Sequence, residues 1–548
     1  MRKRLLYGAG ATILLSSLLF VALFFSKKIE TENDEHEEYE NLQERFDQEF
    51  QQLKDPALGY IPKERLIAAN NFVEQQKRLN RTNNYTWQER GPVYDVVGPS
   101  NGNPRGGVGN NYTAGIVQTF LVDANDASGN TILAGSPSGG LFRCTNFLSN
   151  AVPNWVPVND FQANLAIASI CQNPASPNIM YIATGDANTR DVRGYGIWKS
   201  TNSGNTWSLI PGTTNFTQAF KILCDNSGNL YLATAGNGLQ RSTDGGNTWT
   251  NISPSSSSLP GVVNPSYVPD IEISSTGRLH AVFGYYGTSS GAKCQHVYTD
   301  NPATVNSTSW NFSSGIRVGT TTACSRIEIA TQGNILYAVT ANSAHNIDSC
   351  YKSVDGGATW TKQNTAVYTT GLGSGQAWFA VTLQINPDNP SEFLVGGLDA
   401  YRSSDDGVSI SRVTYWVSFA PYVHADHHCM QWYKSGTESR VIIGCDGGLF
   451  LSKDGGSSWT DKNQNLGIKQ FYSCAIDPSS GVNYMLAGAQ DNGCHQLKQA
   501  GLSWSTEVTG GDGSFVYVNQ QNPQIQFCSY LYNQYRRSTN GGNTWTAV

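Results

Sequence analysis

Ser242-Thr243-Asp244-Gly245-Gly246-Asn247-Thr248-Trp249 is one copy of an eight-residue unit that returns along the chain. It recurs as Ser353-Val354-Asp355-Gly356-Gly357-Ala358-Thr359-Trp360 and as Ser452-Lys453-Asp454-Gly455-Gly456-Ser457-Ser458-Trp459. With Asn in the third place it stands at Ser200 to Trp207 (Asn202) and at Ser538 to Trp545 (Asn540), and a decayed copy runs from Ser403 through Asp405 and Gly407 to Ile410. The residue types are those of a hairpin turn. An Asp or Asn carboxyl or amide oxygen accepts hydrogen bonds from nearby backbone N–H groups, and glycine supplies positive φ without a steric penalty. The hydroxyls satisfy further turn groups, and the tryptophan opens the returning strand with a large apolar face.

Outward from the unit, the tryptophans at 155, 207, 249, 310, 360, 459, 504 and 545, with Ile410 in the same place, follow one another at 41 to 61 residues. Eight of the 13 tryptophans lie on this period. A four-stranded blade takes about 40–45 residues, so the spacing predicts about nine blade-like repeats in an all-β propeller. Repeat seven predicts an innermost strand over His428–Trp432, a second over Val441–Gly444, a third over Leu449–Ser452, and a fourth at Trp459. The repeats form one large ring or two smaller ones, and the segment from Trp87 to Val97 is a candidate to close a ring.

The unit resembles the Asp-box, or BNR repeat, of sialidase-like and sortilin-like β-propellers, over residues 87 to 548. The resemblance implies a structural turn between the third and fourth strands of a blade, away from chemistry, with Asn202, Asp244, Asp355, Asp405, Asp454 and Asn540 as its turn residues. A single large ring is similar to sortilin, and two smaller rings are similar to xyloglucan-cleaving glycosidases.

Composition agrees with many short strands and tight turns. Charged residues make up 14% of the 548, with 56 glycines and 11% aromatics. A net charge of −6 offers no basic footprint for nucleic acid. The 11 cysteines contain no C-x-x-C pair and recur at equivalent strand positions, which reads as small buried side chains.

The organisation expected is a segment over 1–28, an acidic helical stalk or linker over 29–82, and the repeats over 83–548. Arg2, Lys3 and Arg4 precede an uncharged run from Leu5 to Ser26, closed by Lys27 and Lys28. The run is long enough to span a bilayer and reads as an uncleaved signal anchor or a cleaved signal peptide. Both readings place the rest of the chain outside the cytoplasm, anchored at the cell surface or secreted. In the stalk, Tyr39, Leu42, Phe46, Phe50 and Leu53 make an apolar stripe on an acidic helix, and Pro62 starts a second helix running to about Arg78.

In antiparallel blades, the start of the first strand and the end of the second share one edge, so residues distant in sequence are collected on one face. His424, Asp426 and His428 enter repeat seven, and Asp446 leaves its second strand. Gln490 and Asp491 hold the matching corner of repeat eight, and Asp512 enters repeat nine. Asp399 holds that corner in repeat six, and Asp186, Arg190 and Arg193 in repeat two. In an extended segment His424, Asp426 and His428 point to one side, where with Asp446 and Asp491 they suit a divalent-metal site, an acid/base cluster, or plain loop packing. Stretches like His424–His428 and Ala489–Gly493 resemble those of exported bacterial Asp-box proteins described as glycosyl hydrolase-like or sortilin-like.

A sialidase needs Arg-Ile-Pro, which the chain lacks; Tyr60-Ile61-Pro62 has no arginine, and Arg190, Arg193 and Arg317 assign to no triad. The reading is therefore an exported propeller binding a protein or glycan through one face of the ring. The alternative is a glycoside hydrolase using Asp426, Asp446 and Asp491, with Tyr195, Trp378, Trp416 and Tyr422 as sugar-stacking aromatics or as inter-blade packing.

Overall fold

The computed structural model describes residue 51, residues 54–60, 62–78 and 89–95, and residues 112–548 apart from 159–163, 189–191, 287–291, 317–322, 364–371, 373–374, 417–420, 480 and 531–533. The chain divides at Pro62 into two units. In the first, the Asp55 carboxylate caps a short turn by accepting from the Ala57 and Leu58 N–H groups. The apolar run at 5–26 and the stripe from Tyr39 to Phe50 lie outside the described residues. Among the described residues no helix is long and apolar enough to cross a membrane.

The second unit begins with a helix over Lys63–Arg78, directly after Pro62, and its described residues continue as nine sheets whose successive strands are antiparallel. Sheet one comprises Thr119–Val122, Ile132–Ser136, Gly140–Cys144 and Val156–Pro157. The inner strands of sheets two to seven are Ile167–Gln172, Ala219–Cys224, Asp270–Ile273, Arg326–Gln332, Thr382–Asn386 and His427–Ser435. Those of sheets eight and nine are Phe471–Ile476 and Gly513–Val518. In sheet seven the other strands are Glu438–Cys445, Gly448–Ser452 and Thr460–Asp461, each overlapping or adjoining the expected segment. Second strands such as Met180–Thr184 and Leu230–Thr234 are buried throughout, as a strand with a sheet against each face must be.

The recurrent turns share one hydrogen-bond pattern. Asp244 Oδ1 accepts from the Ser242 hydroxyl (2.8 Å) and the Thr248 N–H (2.9 Å), while the Thr248 hydroxyl donates to Oδ2 (2.6 Å). Asp355, Asp405 and Asp454 repeat these contacts. Where Asn202 and Asn540 stand, the last bond reverses, and the amide donates to the Thr206 or Thr544 hydroxyl. Gly246 lies at φ +97°, and a Cβ there would meet Ile210 Cδ1 of the preceding sheet at 2.5 Å. Glycine is thus required both by the turn and by the packing between sheets.

Apolar cores join sheets one to two, two to three, four to five, five to six, and six to seven. One more core returns to the beginning: Ile132, Ala134 and Phe142 of sheet one pack with Ile442, Leu449 and Leu451 of sheet seven. The Val117 N–H donates to Cys445 O (3.0 Å), and the Trp155 indole N–H to Lys462 O (2.6 Å). Sheets three and four meet through Lys221 Nζ and Asp270 Oδ1 (2.9 Å), so contacts run from each of sheets one to seven to the next and back to sheet one, and their inner strands line a cavity of about 400 Å³. Sheets eight and nine pack on each other through Leu486, Cys494, Val518 and Cys528. Of the candidate closing segment residues 89–95 are described, and within them Tyr94–Asp95 pairs in parallel with Trp504–Ser505 as a fifth strand of sheet eight.

All eleven cysteines are free thiols; eight are buried, Cys144, Cys294 and Cys494 among them, whereas Cys224 and Cys429 are partly buried and Cys474 is exposed.

Candidate functional site

The corner of sheet seven is built by backbone necessity. His424 to Asp426 cross from the sheet-six connection onto the inner strand, and Asp426 adopts φ +64°. That left-handed residue ends the extended alternation expected of the segment, so His424, Asp426 and His428 are not a one-sided row. Each histidine has its own partner. His424 Nε2 lies 3.0 Å from Asp491 O, His427 Nε2 lies 3.1 Å from His424 O, and His428 Nε2 is paired with Asp446 Oδ1. The His428 and Asp446 side chains are both 1% exposed. Among the described residues no group of three His, Cys, Asp or Glu side chains could hold a metal ion.

The carboxyl groups of Asp426, Asp446, Asp491 and Asp512 do come together. Burial, then Asp512, Asp446 and Asp426 in turn, raise the Asp491 carboxyl well above the ordinary range. The Asp491 N–H donates to Asp512 Oδ1 (3.0 Å), and Asp491 sits at φ +53°. The Asn492 amide donates to Asp446 O (3.0 Å), tying sheet eight to the corner of sheet seven. Burial lowers His424, and burial pulls His427 down to about 3. The arrangement is a buried network that fixes two hairpins.

The remaining candidates stay in their own corners. Asp399 is ion-paired with Arg412 (2.5 Å) and accepts from the Trp416 N–H; burial raises it to about 7 against the pull of Arg412. Asp186 accepts from the Asn188 N–H, Gln490 bonds Gln470 O through its backbone, and the exposed Arg193 offers its carbonyl to the Asn164 amide. Arg190 and Arg317 lie outside the described residues. Trp378 and Tyr422 are buried, the latter in the core of sheets six and seven, while Tyr195 and Trp416 are half-buried.

A second constellation has no counterpart in the expectations above. In the central cavity Lys221 Nζ contacts Asp270 Oδ1 (2.9 Å) and Glu272 Oε1 (2.6 Å), and Arg326 contacts Glu328 Oε2 (3.1 Å). Arg326 also donates to Trp378 O (3.0 Å), and Asp270 Oδ2 accepts from the Ile329 N–H (2.9 Å). Burial, reinforced by Asp270, lifts Glu328 to about 8, while Arg326 and Lys221 oppose it. Burial likewise raises Glu272. The exposed Gln431 lines the same space. Aligning inner strands would have shown the signal, since Lys221, Glu272 and Glu328 each interrupt an apolar strand at a comparable place.

The family model described as DUF6242 beta propeller domain matches residues 154–409. Comparison with curated proteins gives no match. The chain is similar to the GH74 xyloglucanase of Xanthomonas campestris, at 16% identity over 83% of this chain and 68% of that one, with a TM-score of 0.57. It is also similar to PorZ of Porphyromonas gingivalis (11% identity, 79% and 52% coverage, TM-score 0.45). YCF48 of Cyanidioschyzon merolae gives 12% identity, 62% and 96% coverage, and a TM-score of 0.43; neither of these last two adds to the fold assignment. At such identities the likeness concerns architecture alone. With nine sheets in sequence among the described residues, eight of four strands and one of five, and a circuit through the first seven, the chain has the β-propeller fold.

Proposed function

We propose that this is an exported propeller that binds a protein or glycan through the face of its seven-sheet ring. One observation carries the reading: a cavity of about 400 Å³ on the ring axis, lined from all seven inner strands by hydrogen-bonding and ion-paired side chains. Concave sites with a few convergent polar groups are where ligands bind. Burial and Asp270 push Glu328 toward its neutral form against Arg326 and Lys221, and these two cations face Asp270, Glu272 and Glu328, so the well offers donors and acceptors side by side. The turns support kinship with Asp-box proteins, and the uncharged run at 5–26 between basic flanks supports export, with anchoring as its membrane-bound form.

Glycoside hydrolysis is the second reading. It is favoured by Asp491, whose raised carboxyl beside Asp446 and Asp512 has the character of a general acid near a second carboxylate. Against it, Asp446 is 1% exposed and hydrogen-bonded to His428, which leaves a sugar no approach to that carboxylate.

Glycan-array and peptide-library capture on the intact chain, run beside assays for sugar release, separates the two. Capture without turnover is expected. Sugar release that Asp491→Asn abolishes in a folded protein would replace binding by hydrolysis.

A further inference from the structure

The outer flank of sheet three carries an open groove of about 730 Å³, away from the ring axis. No ionisable side chain lines it among the described residues; amides, hydroxyls, glycines and prolines do. Its aromatic wall is Trp249, the turn tryptophan of sheet three. The counterparts Trp155, Trp207, Trp310, Trp360 and Trp459 are 5–9% exposed, each sealed into the fold. Trp249 is half-open, as are Trp504 and Trp545 of sheets eight and nine. The indole is nevertheless fixed: its N–H donates to Gly246 O (2.9 Å), and Phe216 meets it edge-on at 5.6 Å.

The neighbouring amides are also held in place with polar atoms to spare. Asn251 Nδ2 donates to Asn237 O (3.1 Å), and its Oδ1 accepts from the Ser253 N–H (2.9 Å). Asn247 is exposed and uses its Nδ2 on Asp244 O (2.7 Å). An amide oxygen has two lone pairs and an NH₂ two protons, so each retains hydrogen-bonding capacity toward the groove.

We infer that this groove is a binding site for a neutral oligosaccharide. A pyranose presents a C–H face that stacks on an indole, and a rim of hydroxyls that exchange hydrogen bonds with amides and serines. An uncharged lining excludes recognition of acidic or basic ligands by ion pairing. A fixed indole and tethered amides reduce the ordering cost of binding. The inference does not depend on the ring-face reading, because none of its residues lines the central cavity.

The test is titration of the intact chain with cellohexaose, mannohexaose and maltohexaose, with hexagalacturonate as an acidic control, read by ligand-observed NMR and calorimetry. At least one neutral hexasaccharide is expected to bind. Trp249→Ala is expected to weaken it tenfold or more, with Trp249→Phe retaining most of the affinity and Trp545→Ala unchanged. Should Trp249→Ala unfold, Asn247→Ala and Asn251→Ala at the exposed rim are each expected to weaken binding severalfold. Absence of binding by all three neutral sugars, preference for hexagalacturonate, or full affinity in the folded Trp249 or Asn variants would overturn the assignment.

Discussion

The indole N–H of Trp155 donates to the backbone carbonyl of Lys462 at 2.6 Å, across 307 positions of sequence. The bond spans the junction of sheets one and seven, where the circuit meets itself. Trp155→Phe keeps most of the ring's bulk and removes the donor, leaving a buried carbonyl without this bond. A loss of about 1–3 kcal/mol is expected in urea unfolding. Hydrogen exchange should quicken in both Thr119–Val122 and His427–Ser435. Faster exchange in sheet one alone would contradict closure between these sheets.

The recurrent turn gives a prediction that can be repeated along the chain. The Ser452 hydroxyl donates to Asp454 and accepts from the Gly456 N–H (2.7 Å), and Ser452 is 1% exposed. Ser452→Ala strands that buried N–H, which costs about 1–3 kcal/mol. The equivalent changes Ser353→Ala and Ser403→Ala should cost the same within error. Thermal melts of the three variants check the equivalence.

Asp446 separates structural from catalytic use of the sheet-seven corner. Leaving the buried His428 without its hydrogen-bond partner costs about 1–3 kcal/mol, so Asp446→Ala should unfold at lower denaturant. A variant as stable as the parent but inactive on a sugar would assign Asp446 to chemistry instead.

Stability should peak near pH 6.5. Burial pulls His280 and His427 to about 3 and His345 to about 4, so these rings are neutral when folded. In the unfolded chain they take protons near 6.5, and stability present above that pH is lost as pH falls toward 3–4. The raised acids run oppositely. Asp399 at about 7 and Glu328 at about 8 hold protons that the unfolded chain has released near pH 4. Their contribution is complete below pH 4 and lost as pH rises through 7–8. Above 6.5 only these acids act, so Tm should decline up to about pH 8, and Glu328→Gln should flatten that decline. An unchanged alkaline limb in the variant would contradict the raised carboxyl.

The number and order of the sheets were legible because six of them carry the same Asp- or Asn-glycine turn and the tryptophans, with Ile410, keep one spacing through all nine. Local chemistry repeats in sequence wherever it repeats in space. Closure after seven sheets was not legible. It depends on Ile132 and Phe142 meeting Leu449 and Leu451, and no spacing records which distant sheet a face will cover. The charged well was missed for a related reason. Lys221, Asp270, Glu272, Arg326 and Glu328 come from three strands without a shared motif, and only the ring brings them to one axis. At the sheet-seven corner the residues were found but their geometry was misjudged, since the positive φ of Asp426 lies in the backbone and breaks the alternation that spacing implied.

The most direct test of ring-face binding is the dissociation constant of the captured ligand for the intact chain and for Gln431→Trp, which places an indole in the central cavity from an exposed position. The expected result is at least a tenfold loss, about 1.4 kcal/mol, in a variant that melts like the parent. An unchanged constant in that folded variant would contradict binding at the ring axis.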